Sequence, residues 1–514
     1  MVLRVFSGDV RPFHKTITLF ALVFCALALY LPSVRSGFVE WDDPQYVVQN
    51  GAELAAPLFS GITRASHGYY QPLTILSYRI DYRIGGLSPR IYHLTNSLLH
   101  AANAALVFLL CGELAISAEV SFWAALIFCV HPMLSEPVLW VSGRKDLLMC
   151  FFGLLGLLAY MRRSDKNKWS CMAAANLCAA FAILAKPTAM ALPLIYPLAD
   201  YLHGRREWRK YFLYMAPALF VGLCALYFSL HASRPLLHEQ NNGGWRYPLA
   251  CLNNLWFYYS HLLWPAGLSP EYPYIFRGGF LNFALLPLLA CGVTGALLYA
   301  GKGGRFCSGF FLLALLPVLA RPEMAPSDRY VYFPVCGLVF GLGFALDFLR
   351  RRSPKAGGMV LSLLAVAVVL LAAGTVRRRA VWHDDVSLWR DAWSKYPCSA
   401  DCAVNAADRL EKAGLHADTL GVYAASEACG FSGETRDKLA YDAGLACAKS
   451  GDLRGATLFF ISISPSFAAY DMVLNNLGMA ALLEGDKKSA ARYFRAALHA
   501  NPSCETAKQN LSKL

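Results

Sequence analysis

The residues best suited to chemistry are two adjacent carboxylates, Asp42 and Asp43, in the stretch Phe38-Val39-Glu40-Trp41-Asp42-Asp43-Pro44-Gln45-Tyr46. A carboxylate within hydrogen-bond reach of a hydroxyl takes its proton as a general base, and an ionisable group beside a bilayer either faces water or serves a site. Further polar clusters follow: His131-Pro132-Met133-Leu134-Ser135-Glu136, Gly143-Arg144-Lys145-Asp146, Lys186-Pro187, Arg321-Pro322-Glu323, and Ser327-Asp328-Arg329-Tyr330-Val331-Tyr332-Phe333-Pro334. Cations in such loops suit an anionic lipid head group. The blander alternatives are a solvated surface pair for Arg144 and Asp146, and a snorkelling helix-end anchor for Lys186. His93, Asn96 and His100 fall at i, i+3 and i+7, on one helix face. That face reads either as a polar seam between helices or as a site lining, with His93 the better site candidate because it is nearer the surface.

These residues must be positioned from within a membrane. Of 514 residues, 56% are hydrophobic and only 16% charged, whereas charge runs near a quarter in soluble domains. Apolar runs of bilayer length lie near residues 16–34, 93–114, 120–138, 146–161, 169–186, 187–202, 211–231, 280–300, 306–320, 330–349 and 358–376, which predicts about eleven spans. Lys and Arg collect in alternate loops, from Arg4, Arg11 and Lys15 through Arg162, Arg163, Lys166 and Lys168, Arg205, Arg206, Arg209 and Lys210, Lys302 and Arg305, to Arg350, Arg351, Arg352 and Lys355. The positive-inside bias then puts the N-terminus inside and every polar cluster outside. The net charge of +13 is thus a topology signal, and nucleic acid is not an expected partner. Parity requires that the aromatic stretch from Cys251 to Pro265 lie along the interface, and Arg377, Arg378 and Arg379 are an exception on the outside. The first apolar segment has no clear small-x-small cleavage site, so it reads as an uncleaved span.

From Arg35 to Ile91 runs a long outside loop, with short membrane-surface helices expected around Pro72 to Tyr82. Ser88 and Pro89 have the types of an N-cap and a first helical residue. From about Val381 the composition changes. Leu474, Leu477, Gly478, Ala481, Gly485, Ala490, Phe494, Ala497 and Pro502 follow the tetratricopeptide spacing, and a shift of 34 residues finds Ala440, Ala443, Gly444, Cys447, Gly451, Ala456 and Phe460. The expected organisation is a membrane domain over 1–380 and a repeat solenoid over 381–514, with a concave face for peptide. Trp382-His383-Asp384-Asp385 reads as the polar start of a capping helix. Of the 16 cysteines, five follow residue 390. Without a C-x-x-C pair neither zinc nor a disulfide framework is expected, and Cys398 with Cys402 is weighed as a pair against buried small hydrophobes.

The order W-D-D, Q-P-L-T, Y-H-L-T-N-x-L-L-H, H-P-x-x-x-E, G-R-x-D-L-L, L-A-K, D-R-Y-x-Y-x-P and a C-terminal repeat array resembles the TMTC family of transmembrane and tetratricopeptide-repeat O-mannosyltransferases, within the GT-C glycosyltransferases. The resemblance implies an all-α polytopic bundle that moves a sugar from a polyprenyl-phosphate carrier to a Ser or Thr hydroxyl of a protein, held by the repeats, with inversion. It implies Asp42 as the catalytic carboxylate, with Asp43 as neighbour or substitute. Arg144, Lys186 and Arg329, joined by Tyr330 and His93, would hold the donor phosphate, and Gln71, His131, Glu136, Asp146 and Tyr332 would line the site. Gln71 stands where an Arg commonly precedes Pro-Leu, and Pro187 follows Lys186 where an acidic residue is usual, which leaves the sugar open. No cofactor is required, although the carboxylate pair and His131 could bind a divalent metal. A bacterial inner membrane with the site and repeats on the periplasmic side is expected. The alternative is a transporter or assembly scaffold of envelope biogenesis, with the repeats as a docking module.

Overall fold

The computed structural model describes residues 12–60, 70–205, 208–232, 246–273, 284–320 and 326–514. Arg4, Arg11, Arg206 and Arg321-Pro322-Glu323 lie outside the described residues, as do the side chains of Lys15, Arg209 and Lys210. Among the described residues, regular structure is entirely helical. The chain divides into two units, Met1–Pro270 with Tyr274–Asp384, and Glu271–Pro273 with Asp385–Leu514.

In the first unit α1 (Pro12–Tyr30) precedes a loop that holds α2 (Gly51–Ala55) and α3 (Pro72–Gly85). Then come α4 (Pro89–Glu113), α5 (Ala118–Val130), α6 (Glu136–Leu139), α7 (Arg144–Met161), α8 (Lys168–Ala185), α9 (Leu192–His203), α10 (Trp208–Ala232) and α11 (Arg246–Leu263). The unit closes with α12 (Leu286–Tyr299), α13 (Gly301–Leu319), α14 (Val335–Arg352) and α15 (Pro354–Val381). A helix forms from Pro72, where a short one was expected, and buries Thr74, Tyr78, Arg79 and Asp81, while α4 starts at Pro89 with Ser88 in extended backbone, although the Ser88 side chain makes no capping hydrogen bond.

Among the described residues, five helices are long and apolar enough to cross a membrane: Thr16–Arg35, Pro89–Glu113, Lys168–Ala185, Gly301–Leu319 and Pro354–Val381. Ala118–Val130 and Pro132–Leu139, bent by 60°, add a sixth if they form one broken span. The chain is thus a multi-pass membrane protein, with fewer spans established by length and composition than the eleven expected. The segment at 187–202 shows why: Pro187–Ala191 is a tight 3-10 turn, and the 12 residues of α9 rise only about 18 Å against a hydrocarbon core of about 30 Å. Helix α11 covers most of the aromatic stretch from Cys251 and is not one of the five.

Helix α4 is the hub, packing against α1, α5 and α7. Its polar face is a buried seam. Asn96 Nδ2 donates to the Trp140 carbonyl at 2.9 Å, His100 contacts the Tyr332 hydroxyl at 2.6 Å and the Cys129 carbonyl at 3.0 Å, and His93 reaches the Gly37 carbonyl at 3.1 Å. The exceptional arginines have a local reason. They sit in the last turns of α15, where cations meet the negative end of the helix dipole, and Arg378 and Arg379 donate to the Leu268 and Leu29 carbonyls at 2.8 and 2.7 Å.

The second unit contains α16 (Asp385–Lys395), α17 (Ala400–Lys412), α18 (His416–Glu427), α19 (Gly433–Lys449), α20 (Leu453–Ile461), α21 (Tyr470–Leu483), α22 (Lys487–Ala500) and α23 (Glu505–Ser512). Hairpins α19–α20 and α21–α22 repeat each other at 34 residues. Gly451 and Gly485 take positive φ of 88° and 89° at the turn, and Asp452 and Asp486 cap the second helix. Gly444 and Gly478 lie so close to Phe460 and Phe494 that an added Cβ would meet ring atoms at 2.6 and 2.5 Å. The cysteine expectation is corrected here: Cys398 is bonded to Cys429, while Cys402 is a buried free thiol. The partner lies 31 residues away, because α17 and α18 fold back and return the end of α18 to the start of α17.

Candidate active site

The two adjacent carboxylates face different surroundings. Asp43 is fully buried and accepts from Val39 N–H at 2.9 Å, Ser142 N–H at 2.9 Å and Ser142 Oγ at 2.5 Å. It therefore fastens the first loop to the turn Val141–Gly143. Burial pushes its carboxyl up to about 7, against the opposing pull of the Ser142 and Val39 donors. The turn itself depends on Gly143, where a Cβ would lie 2.5 Å from the Pro137 Cα, so no side chain fits that close approach. Asp42 is left on the open side, its side chain 32% exposed and 3.3 Å from Lys145 Nζ.

Around Asp42 gathers a ring of aromatics and cations. Trp41 stacks on Trp140 at 4.7 Å, and the Arg329 guanidinium lies 4.9 Å from the Trp41 ring, 5.2 Å from Trp140 and 4.9 Å from Tyr330. Lys145 Nζ lies 5.0 Å from the Tyr46 ring and 5.4 Å from Trp140, and Gln71 donates to the Tyr46 hydroxyl at 2.6 Å. Desolvated cation–π contacts of this kind contribute about 2 kcal/mol each. Arg329 pairs with Glu136 at 2.9 Å and donates to Ser327 Oγ at 2.6 Å, while Lys186 pairs with Asp146 at 2.5 Å and lies 5.2 Å from the Tyr330 ring. Burial lowers the Lys186 ammonium, with Asp146 opposing. Burial also pushes Lys145 down, but Tyr46 and Asp42 outweigh it and hold it above its ordinary value.

Of the expected site residues, Asp42, Gln71, Glu136, Asp146, Lys186, Arg329 and Tyr330 are thus brought together. Others are not. Arg144 is fully buried, with its guanidinium committed to Asp81 at 2.7 Å, Asn96 Oδ1 at 2.6 Å and the Tyr92 carbonyl at 2.8 Å. That arrangement corrects the expectation that Arg144 presents its charge to a donor. The cation beside Asp42 is its neighbour Lys145, which stands at the open position of the G-R-x-D pattern. Tyr332 is buried with His100 and Asn103, and His93 is held against Gly37. His131 is turned to the Leu262 carbonyl at 3.0 Å, and its Nδ1 accepts from Met133 N–H at 3.2 Å. Trp140 and Ser142 lie outside the motifs read from the sequence, and Trp41 and Tyr46 entered only as flanks of the carboxylate pair. Trp41 beside Asp42 is a local signal, whereas Ser142, 99 positions from Asp43, has none. Among the described residues no group of three or more His, Cys, Asp or Glu is arranged to hold a metal ion.

In the second unit, a separate concavity of about 270 Å³ is lined by Tyr423, Ser426, Glu427, Phe431, Arg436 and Leu439.

No protein-family model matches the chain. Among curated proteins, it is similar to the protein O-mannosyl-transferase Tmtc1 of Drosophila melanogaster, 26% identical over 513 residues, covering 76% of this chain and 59% of that one. It is also similar to Tmtc2 of Drosophila melanogaster, 34% identical over 212 residues that cover 37% of this chain and 22% of that one. A third relative, the protein O-mannosyl-transferase F38B6.6 of Caenorhabditis elegans, is 25% identical over 439 residues, covering 78% and 61%. The resemblance carried by the motifs therefore extends over most of the chain, which spans less than two thirds of the length of these relatives. Among solved structures, ArnT from Cupriavidus metallidurans in the apo state aligns over 94% of this chain and 91% of that one, at 15% identity and a TM-score of 0.44.

Proposed function

We propose that this protein is a GT-C-type membrane glycosyltransferase that moves a sugar from a polyprenyl-phosphate carrier to a Ser or Thr hydroxyl of a protein. The observation that carries the reading is Asp42, a part-exposed carboxylate 3.3 Å from Lys145, with Arg329 over the adjoining Trp41 ring and Lys186 sharing the Tyr330 ring with Arg329. Similarity to named O-mannosyl-transferases over 76% of the chain supports the same chemistry. The acceptor oxygen attacks the anomeric carbon as Asp42 takes its proton, and the bond from that carbon to the phosphate oxygen breaks on the opposite face. The sugar inverts and the lipid phosphate leaves with its charge. Fixed cations stabilise that departing charge better than water does, because they need no reorganisation. Lys186 and Arg329 are already aimed and held by buried carboxylates, so they serve this role. The scheme needs no metal.

The carrier explains why the catalyst is a membrane protein: its polyprenyl tail stays in lipid while its head reaches the loops. In this reading some of the remaining apolar segments complete about eleven spans, and the site opens on the extracytoplasmic side of a bacterial inner membrane. The hairpins of the second unit are tetratricopeptide repeats that hold the acceptor, supported by their 34-residue register.

The test is intact-mass analysis of secreted and envelope proteins from cells carrying the wild-type chain, Asp42→Asn, or no chain. A hexose-sized mass is expected to vanish from one protein in both altered strains. If deletion removes it and Asp42→Asn does not, the carboxylate has no chemical role.

A further inference from the structure

The three cations of the site are not held alike. Arg329 and Lys186 each face a carboxylate that is almost wholly buried, at 2.9 and 2.5 Å, with Glu136 and Asp146 side chains 0% and 1% exposed. Lys145 faces a longer contact of 3.3 Å to a carboxylate that is 32% exposed. The faces of Tyr46 and Trp140 lie against it as well, and they attract a cation without fixing one orientation. A lysine ammonium is a compact charge on a flexible stem, so it can turn without breaking a planar fork of hydrogen bonds. The carboxylate it holds is the one placed for proton abstraction, and an oxygen that already accepts from the Lys145 ammonium is not open to an acceptor hydroxyl.

We propose that Lys145 masks Asp42 in the resting protein and exchanges it for the phosphate of the lipid carrier when the donor arrives, so that the base is released only in the presence of its substrate. The inference rests on the glycosyltransferase reading and adds to it a residue and an order of events. Glu136 and Asp146 stay on their partners throughout, because breaking a buried pair leaves an uncompensated charge, whereas Asp42 can be solvated as Lys145 leaves. The aromatic faces give the ammonium a surface on which to move between the two anions. The phosphate gains a third cation at the moment it binds. Without donor, an acceptor hydroxyl meets a carboxylate oxygen already occupied by Lys145.

Exchange makes a specific thermodynamic demand: Asp42 and the phosphate compete for one ammonium. The probe is a sugar-free short-chain polyprenyl phosphate, and its affinity is measured on the purified full chain in detergent for wild type, Asp42→Asn, Lys145→Gln and the double variant. Asp42→Asn is expected to tighten binding roughly tenfold, within the range for coupled neighbours. In the Lys145→Gln background the same substitution should change affinity by less than about threefold, the limit of ordinary additivity for uncoupled sites. Lys145→Arg, which keeps the charge, should restore most of the affinity lost in Lys145→Gln. An equal effect of Asp42→Asn in both backgrounds would overturn the exchange and leave the transferase reading intact. Failure of the wild-type chain to bind the phosphate at all would overturn the carrier reading and this inference with it. In turnover, Lys145→Gln should raise KM for the lipid donor while KM for the acceptor stays unchanged, and a rise in both would count against it.

Discussion

Asp42 and Asp43 are chemically identical neighbours whose roles are set by what they face. Both were legible in the sequence as a carboxylate pair, but their partition was not, because it depends on Ser142, 99 positions away from Asp43. Once Asp43 is committed to Ser142 and Val39 it cannot stand in for Asp42. Its carboxyl is raised in the folded protein from 3.8 to about 7, chiefly by burial. A raised acid holds its proton in the folded state, so its stabilising contribution is complete below pH 4 and is lost as the pH rises through about 7. Unfolding of the detergent-solubilised protein should therefore show stability falling over that window. In Asp43→Asn the slope should become shallower, with what remains carried by groups such as Asp442, which burial raises to about 6, while overall stability drops by about 1–3 kcal/mol because an amide N–H now faces a donor. An unchanged slope in the variant would assign it to another group. Arg144 and Lys145 teach the same lesson. At a helix start adjacent side chains point about 100° apart, so one of two cations had to turn inward, and only the position of Asp81 decides which.

At the scale of elements, Arg144 binds three helices. It begins α7, pairs with Asp81 of α3, and reaches Asn96 and the Tyr92 carbonyl of α4, while Thr95 of α4 donates to Asp81 at 2.9 Å. This lock fixes the turn from which Ser142 and Lys145 extend. Arg144→Met leaves Asp81 buried and unpaired, so it should cost about 3–5 kcal/mol, and Asp81→Asn added to it should recover part of that loss. Unfolding midpoints of the two singles and the double check this, and simple addition of the single losses would rule the lock out. Helix starts such as Ser88-Pro89, and a helix from Pro72, were legible because turn chemistry is local. The failure of 187–202 to form one long helix was not, since Pro187 and Pro193 occupy positions that helix starts tolerate and apolar content alone does not measure length.

At the scale of the molecule, the 34-residue register of the second unit was plain in the sequence because identical contacts recur at identical spacing. The disulfide was not, because sequence offers proximity along the chain and the fold supplies proximity in space. Cys398–Cys429 closes a separation of 31 residues, and restricting the unfolded chain over such a loop stabilises by about 3–4 kcal/mol. Replacing both cysteines by Ser should raise hydrogen exchange in α17 and α18 by a corresponding amount in the full chain, and unchanged protection would mean the bond does not constrain the unit. Such a bond persists in an oxidising compartment, which agrees with the proposed extracytoplasmic side.

The site's order along the chain has a consequence for how it is made. Asp42 is synthesised early, Glu136, Lys145 and Asp146 in the middle, and Arg329 only at residue 329 of 514. Glu136, buried in the finished protein, takes its ion pair from Arg329 and a hydrogen bond from Ser327, both of that late segment. A nascent chain stopped before it therefore carries an acid and part of a cation ring, but lacks the charge that lets Glu136 be buried. A truncated translation product is therefore left marked by an uncompensated carboxylate.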